Sequence, residues 1–265
     1  MSSHIPRKRF GQNFLQDQGV IGAIVAAIQP HTGDVLVEIG PGLAALTEPL
    51  MKAAGKLHVV ELDRDIVSHL SSKYPAEQLV IHHYDALKFD FGALAREIGK
   101  DGVIRLAGNL PYNISTPLLF HLASFGSAIS DMHFMLQKEV VDRMVAEPST
   151  ADYGRLSVML QVRFNMEHVL DVAPTAFYPP PKVDSAVVRM MLWPSPPWPV
   201  NDLAHMEKLV TTAFSQRRKT LRNNLKGIVN DDELLALGMD PGCRPENVTV
   251  PQYVALSNYL QSLGR

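Results

Sequence analysis

The chain has 265 residues, 46% hydrophobic and 20% charged, with a net charge of −2 and a mean hydropathy of zero. That profile belongs to a soluble globular protein with room for one large domain and a small one, and it excludes a disordered or fibrous chain. No apolar run reaches the roughly 18 residues of a membrane span. Cys243 is the only cysteine, which excludes an internal disulfide and a cysteine-rich zinc site. The opening MSSHIPRKRF has no apolar core of the secretory kind. With one cysteine, the expected location is the reducing cytoplasm, and no membrane partner is expected.

From about residue 18 to 137, β-type runs alternate with helical ones. Val20, Ile21, Ile24, Val25 and Ile28 share one face of an opening helix over Gln18 to Ile28, with Pro30 beyond its end. Strands are expected at 35–39, 57–61, 79–83, 103–107 and 132–136, with helices at about 43–53, 63–73, 91–99 and 115–125 between them. This alternation implies right-handed βαβ crossovers and a Rossmann-like, mostly parallel α/β sheet covered on both faces. A helix near 138–147 follows. YGRLSVMLQVRF (153–164) reads as a helix turning into a strand, and 186–192 as a strand that can pair with it antiparallel at the sheet edge. WPSPPWPV (193–200), with four prolines in eight residues, reads as a stiff linker. The expected domains are therefore a catalytic domain over 1–192 and a small all-α domain over 201–265.

Gly40-Pro41-Gly42 lies directly after a strand and before a helix. Glycines there permit a tight turn and close approach of a ligand to the main chain. The stretch also fits a relaxed dinucleotide fingerprint, with Ala45 in the third small position and Glu61 about 20 residues on, so the loop alone leaves a nicotinamide enzyme open. Glu61 ends the second strand, where a carboxylate accepts from ribose hydroxyls and repels a 2′-phosphate. Asp85 follows the third strand and Asn109 the fourth. Ligands of open α/β sheets bind at the carboxyl ends of the strands, so Gly40, Glu61, Asp85 and Asn109 share one rim. S-adenosylmethionine suits it: a ribose for Glu61, an adenine amino group for Asp85, and no pyrophosphate to miss the N–H that Pro41 lacks.

Asn109-Leu110-Pro111-Tyr112 then reads chemically. An adenine amino nitrogen is a poor nucleophile because its lone pair is delocalised into the ring. Two acceptors, the Asn109 side-chain oxygen and the Leu110 carbonyl, bind its N–H groups and favour a pyramidal nitrogen, which stabilises the transition state for methyl transfer. Pro111 fixes the backbone behind that carbonyl. Tyr112 stacks on the base, worth about 1–3 kcal/mol, comparable to the few kcal/mol a flipped base costs. Phe177, before the rigid Pro179-Pro180-Pro181, is either a second aromatic face or a core residue under a strap. The histidines show no metal-ligand spacing, and no metal is expected.

Two acid-free basic clusters stand out in this slightly acidic chain: Arg7, Lys8 and Arg9, and Arg217, Arg218, Lys219, Arg222 and Lys226. They lean toward a polyanionic partner.

RKRFGQNFL (7–15), VEIGPGLAALTEPL (37–50), ELDRD (61–65), GNLPYNISTPLLFHL (108–122), DMHFMLQKEVVDRM (131–144), YGRLSVMLQ (153–161), FYPPPKVDSAVVR (177–189) and FSQRRKTLRNNL (214–225) resemble the ribosomal RNA adenine N6,N6-dimethyltransferases. The resemblance runs from about Arg7 to Leu260, and the helical C-terminal stretch points to the bacterial small-subunit branch. It implies a class I S-adenosylmethionine-dependent methyltransferase fold with a mostly parallel seven-stranded sheet and a small all-α C-terminal domain. It implies a cofactor site from Asn13, Leu15, Gly40, Glu61, Asp85 and Asn109, with Asn109 and Tyr112 catalytic and Phe177 on the opposite face of the base. It further implies a monomer that dimethylates two adjacent adenosines in the 3′-terminal hairpin of 16S rRNA. On this reading Arg7, Lys8 and Arg9 touch RNA, while Arg218, Arg222 and Lys226, at i, i+4 and i+8, form one helical stripe facing phosphates.

Overall fold

The structure is a computed structural model that describes residues 13–265. The expected RNA contacts Arg7, Lys8 and Arg9 lie outside the described residues. The chain forms two compact units. The first runs to Val141 and resumes over Met166–Leu192; the second takes Asp142–Asn165 and Trp193–Arg265. The chain therefore passes between units three times. The linker expected at 193–200 adjoins one passage, whereas the others fall inside a helix and a strand, where composition leaves no mark.

In chain order the first unit contains β1 (Phe14–Leu15), α1 (Gln18–Ile28), β2 (Leu36–Ile39), α2 (Thr47–Ala54), β3 (Leu57–Glu61), α3 (Arg64–Lys73), β4 (Leu79–His83), α4 (Phe91–Ile98), β5 (Ile104–Asn109), α5 (Ser115–Ala123) and β6 (Ile129–Gln137). After α6 (Lys138–Val145) and α7 (Arg155–Gln161) come β7 (Phe164–Val172), β8 (Phe177–Tyr178) and β9 (Ser185–Leu192). One seven-stranded sheet has the order β4-β3-β2-β5-β6-β9-β7. Its first five strands pair in parallel and β9 pairs antiparallel with β6, Met132 opposite Met190. The α/β fold expected from the alternation is thus present, with β7 outermost beside β9. Separately, β1 and β8 form a two-stranded antiparallel ribbon.

The sequence explains these elements locally. Asp17 caps α1, its Oδ1 accepting from the Gly19 and Val20 N–H groups at 2.8 and 3.0 Å. Ile21, Ile24 and Ile28 of α1, Leu50 of α2, and Ile66 and Leu70 of α3 pack with Leu36, Leu57, Val59 and Met135 of the sheet in one apolar core. Arg105, at the start of β5, ties the far end of the sheet to α1. It holds Asp34 at 2.6 Å and Asp131 at 2.8 Å and donates to the Ile28 carbonyl. Two boundaries that differ from expectation bear on the rim. The helix expected from 43 starts at Thr47 because Gly42 and Ala44 adopt φ of 52° and 74°, outside the helical region. The fourth strand runs on to Asn109, so the asparagine belongs to the strand and the turn begins at Leu110.

The second unit is helical, with α7, α8 (Leu203–Ala213), α9 (Leu221–Asn224), α10 (Asp231–Ala236) and α11 (Val250–Ser262). Its core holds Tyr153 and Tyr253, whose hydroxyls donate to the Val248 and Pro245 carbonyls, with Phe214 ringed between them. Trp193 ties the proline segment down: its ring N–H donates to the Gln161 carbonyl at 3.0 Å.

Candidate active site

The C-terminal ends of β2 to β5 form the rim that the spacing predicts, around a cavity of about 300 Å³ within the first unit. Asn13, Leu15, Gly40, Glu61, Asp85 and Asn109 all line it. So do Leu110, Pro111 and Tyr112. Gly40 takes φ of 69°, and its N–H donates to the Val60 carbonyl, which locks the glycine loop to β3. Gly108 lets β5 approach β2: a Cβ there would lie 2.4 Å from the Ile39 carbonyl oxygen. The close approach sets Gly40 and Asn109 side by side.

Each polar group on the rim is held by its own surroundings. Glu61 Oε1 accepts from the Leu62 and Asp63 N–H groups, both at 2.8 Å. Asp85 Oδ1 accepts from the Leu87 N–H at 3.0 Å. A carboxylate has about four lone-pair sites, so both retain acceptor capacity toward the cavity. Asn109 Nδ2 donates to the Asn13 carbonyl at 3.2 Å. A carbonyl only accepts, so this bond fixes the amide with its NH₂ toward Asn13, and among the described residues its oxygen takes no hydrogen bond. The Leu110 N–H donates to the Met135 carbonyl, and the Pro111 carbonyl accepts from Ile114. Tyr112 is half-buried, its hydroxyl 2.6 Å from Ser185 Oγ, and burial raises its pKa against the opposing effect of that bond.

Sequence reasoning did not single out Glu38. It is 1% exposed in β2, lines the cavity and accepts from Thr47 Oγ1 at 2.7 Å. Burial pushes its carboxyl up to about 8; the Thr47 bond opposes this and the nearby Glu61 charge adds to it. The signal was present as a lone acid in an otherwise apolar strand. Leu62 and Tyr84 also line the cavity and remain exposed, offering apolar surface to a flat ring. Asn113 is exposed at the same cavity, and Ile114 occupies the N-cap of α5.

Among the described residues, the lining contains Glu38, Glu61 and Asp85 but no lysine, arginine or histidine. A pyrophosphate would meet the Glu61 and Asp85 carboxylates and a loop whose Pro41 has no N–H. A sulfonium-bearing nucleoside meets a favourable field and acceptors for its diol and amino group. The residues present therefore fit S-adenosylmethionine. Among the described residues, no group of three or more His, Cys, Asp or Glu is placed to hold a metal ion.

Two expected sites differ from the structure. Phe177 does not line the cavity; it is 4% exposed, pairs with Leu15 across the β1–β8 ribbon and belongs to the apolar core. It therefore anchors the strap that carries Asn13 and Leu15, the core position that was one of its two expected readings. The single basic stripe is also absent. Arg218 lies in the turn after α8, Arg222 in the four-residue α9 and Lys226 in the following turn. Thr220 is extended, and the Leu221 and Arg222 N–H groups donate to the Cys243 and Pro241 carbonyls instead of to a preceding turn. Arg222 further pairs with Asp231 at 3.0 Å, while Arg218 and Lys226 are exposed.

Comparison with known proteins bears on this geometry. The family profile described as "Ribosomal RNA adenine dimethylase" matches residues 3–262. A protein of Laribacter hongkongensis named "Ribosomal RNA small subunit methyltransferase A" is 62% identical over 265 residues, covering 100% of both chains. One of the same name from Neisseria gonorrhoeae is 56% identical over 260 residues, covering 98% of each. A dimethyladenosine transferase from Plasmodium falciparum superposes with a TM-score of 0.80 at 25% identity, over 95% of this chain and 98% of that one. The 23S rRNA methyltransferase ErmE superposes with a TM-score of 0.73 at 24% identity, over 94% and 100%, and shares the fold.

Proposed function

The chain belongs to the ribosomal RNA adenine dimethylase family, and from that premise we propose that it dimethylates N6 of two adjacent adenosines in the 3′-terminal hairpin of 16S rRNA, with S-adenosylmethionine as donor, late in small-subunit assembly. The observation that carries the reading is the Asn109 amide, turned by Asn13 so that its oxygen is an acceptor at the cavity, three residues before Tyr112.

Glu61 would take the ribose hydroxyls and Asp85 the adenine amino group, while Asn13, Leu15 and Gly40 close the walls. S-adenosylmethionine supplies, when bound, a methyl carbon made electrophilic by its sulfonium. Asn109 Oδ1 and the Leu110 carbonyl accept from the two N6–H groups of the target base, concentrating the nitrogen lone pair for bond formation. The Met135 bond to the Leu110 N–H and the ring of Pro111 hold that carbonyl in place. Tyr112 presents an aromatic face to the flipped base. The proton lost from N6 passes to solvent or through the same acceptors. In the second methylation one acceptor holds the single remaining N–H, and the methyl already added takes the place of the other.

For RNA contact, the exposed Arg218 and Lys226 would meet phosphates from separate turns, together with Arg7, Lys8 and Arg9. Arg222 contributes once its pair with Asp231 opens. The protein acts as a monomer in the cytoplasm. No helix among the described residues is long and apolar enough to cross a membrane. The test is labelled-methyl transfer to undermethylated small subunits and, in parallel, to large-subunit RNA. Label in small-subunit RNA supports the reading; label confined to large-subunit RNA overturns it.

A further inference from the structure

Tyr112 sits on a turn, and a turn side chain has no neighbouring strand to hold its rotamer. The tyrosine hydroxyl lies on the axis of the ring, so a bond to it restrains χ1, and with it the place the ring occupies. Such a bond exists: Tyr112 Oη and Ser185 Oγ are 2.6 Å apart. Ser185 is fully buried at the first position of β9, opposite Gln137 at the end of β6. The next ladder bond, from the Lys138 N–H to the Asp184 carbonyl, pins the residue before it. Ser185 is thus a rigid point of the central sheet, on the same rim as Asn109, which lies opposite Met135 on β6.

A serine hydroxyl can be satisfied locally by its own or neighbouring backbone. Here its hydroxyl reaches a side chain 73 positions earlier. We propose that Ser185 is a positioning residue: it holds the Tyr112 ring where the target adenine must stack, and it does so without touching base or cofactor. The assignment rests on the reading that Tyr112 meets that base. It also gives the FYPPPKVDS segment two tasks at its two ends. Phe177 anchors the strap that carries Asn13, and Ser185 anchors the tyrosine.

The test compares Ser185→Ala, Ser185→Thr, Tyr112→Phe and the double variant Tyr112→Phe/Ser185→Ala in the full chain, with undermethylated small subunits. Ser185→Ala is expected to lower kcat about tenfold, the scale of one net hydrogen bond, with the Kd for S-adenosylmethionine unchanged. Ser185→Thr restores most of the rate, and the double variant loses no more than Tyr112→Phe alone. A wild-type kcat in Ser185→Ala, additive losses in the double variant, or a parallel loss of cofactor binding would each overturn the assignment. Fluorotyrosine at position 112 gives a readout independent of turnover. Its ¹⁹F resonance should move toward the solvent-averaged position in Ser185→Ala, and an unmoved resonance sinks the proposal. If the wild type transfers no methyl to small subunits, the functional reading fails, and the ¹⁹F shift still decides the role of Ser185.

Discussion

Replacing Glu38 by glutamine should make the fold less sensitive to rising pH. Burial holds the Glu38 carboxyl protonated to about pH 8, against 4.5 for an ordinary glutamate. Between those values the folded state keeps a proton that the unfolded chain releases, so stability falls as pH rises through that window. At pH 7 the span above 4.5 is about 2.5 pH units at about 1.4 kcal/mol each, so ionisation on unfolding lowers stability by about 3.5 kcal/mol. Glu38→Gln keeps an oxygen that accepts from Thr47 Oγ1 and cannot ionise. Its added N–H₂ needs an acceptor, which costs about 1–3 kcal/mol at every pH. Urea unfolding of the cofactor-free protein from pH 5 to 7.5, followed by far-ultraviolet circular dichroism, isolates the slope from that constant offset. The stability of the variant relative to wild type should climb by up to about 1.4 kcal/mol per pH unit. Parallel pH profiles would refute the reasoning, because they would mean that Glu38 is already ionised in the fold.

Other consequences follow from single contacts. His58 is 7% exposed, stacked on His82 with ring nitrogens 3.1 Å apart, and burial lowers its pKa to about 4. Its unfolded form binds the extra proton below about 6.5, so its contribution is present above that pH and is lost as pH falls toward 4; His58→Asn should flatten this acid limb in the same urea series. Arg105→Met removes the cation between Asp131 and Asp34 and the donor to the Ile28 carbonyl, and should cost about 3 kcal/mol in urea unfolding, at the low end for a broken buried pair because the site is partly exposed. Gly108→Ala puts a Cβ 2.4 Å from a backbone oxygen, so β5 must shift from β2. Stability should drop by about 1–3 kcal/mol, and the Kd for S-adenosylmethionine, measured by calorimetry, should rise as Gly40 and Asn109 part.

The parallel strands were legible because each is a short apolar run ended by a polar or glycine residue, and β3 and β4 have the expected bounds. The rim followed from chain order alone, since a parallel sheet brings successive strand ends together. The first turn of α2 misled because Ala44 takes a left-handed conformation that alanine does not advertise. The basic stripe misled for a different reason. Spacing at i, i+4 and i+8 assumes an unbroken helix, and the break at Thr220 is enforced by carbonyls at 241 and 243, remote in sequence. Phe177 shows the same limit: its neighbour Leu15 is supplied by a ribbon that no local pattern announces. Ser185 was silent for that reason too, because its meaning lies in a tyrosine 73 residues away.

The central claim is that the rim methylates adenine through the Asn109 acceptor, and Asn109→Ala tests it most directly. Wild type and variant are given undermethylated small subunits with labelled S-adenosylmethionine, and the RNA is digested and analysed for N6,N6-dimethyladenosine. The variant should still bind RNA yet yield about 10²–10³-fold less product, the scale of losing one preorganised transition-state partner. Dimethyladenosine at the wild-type rate would contradict the account.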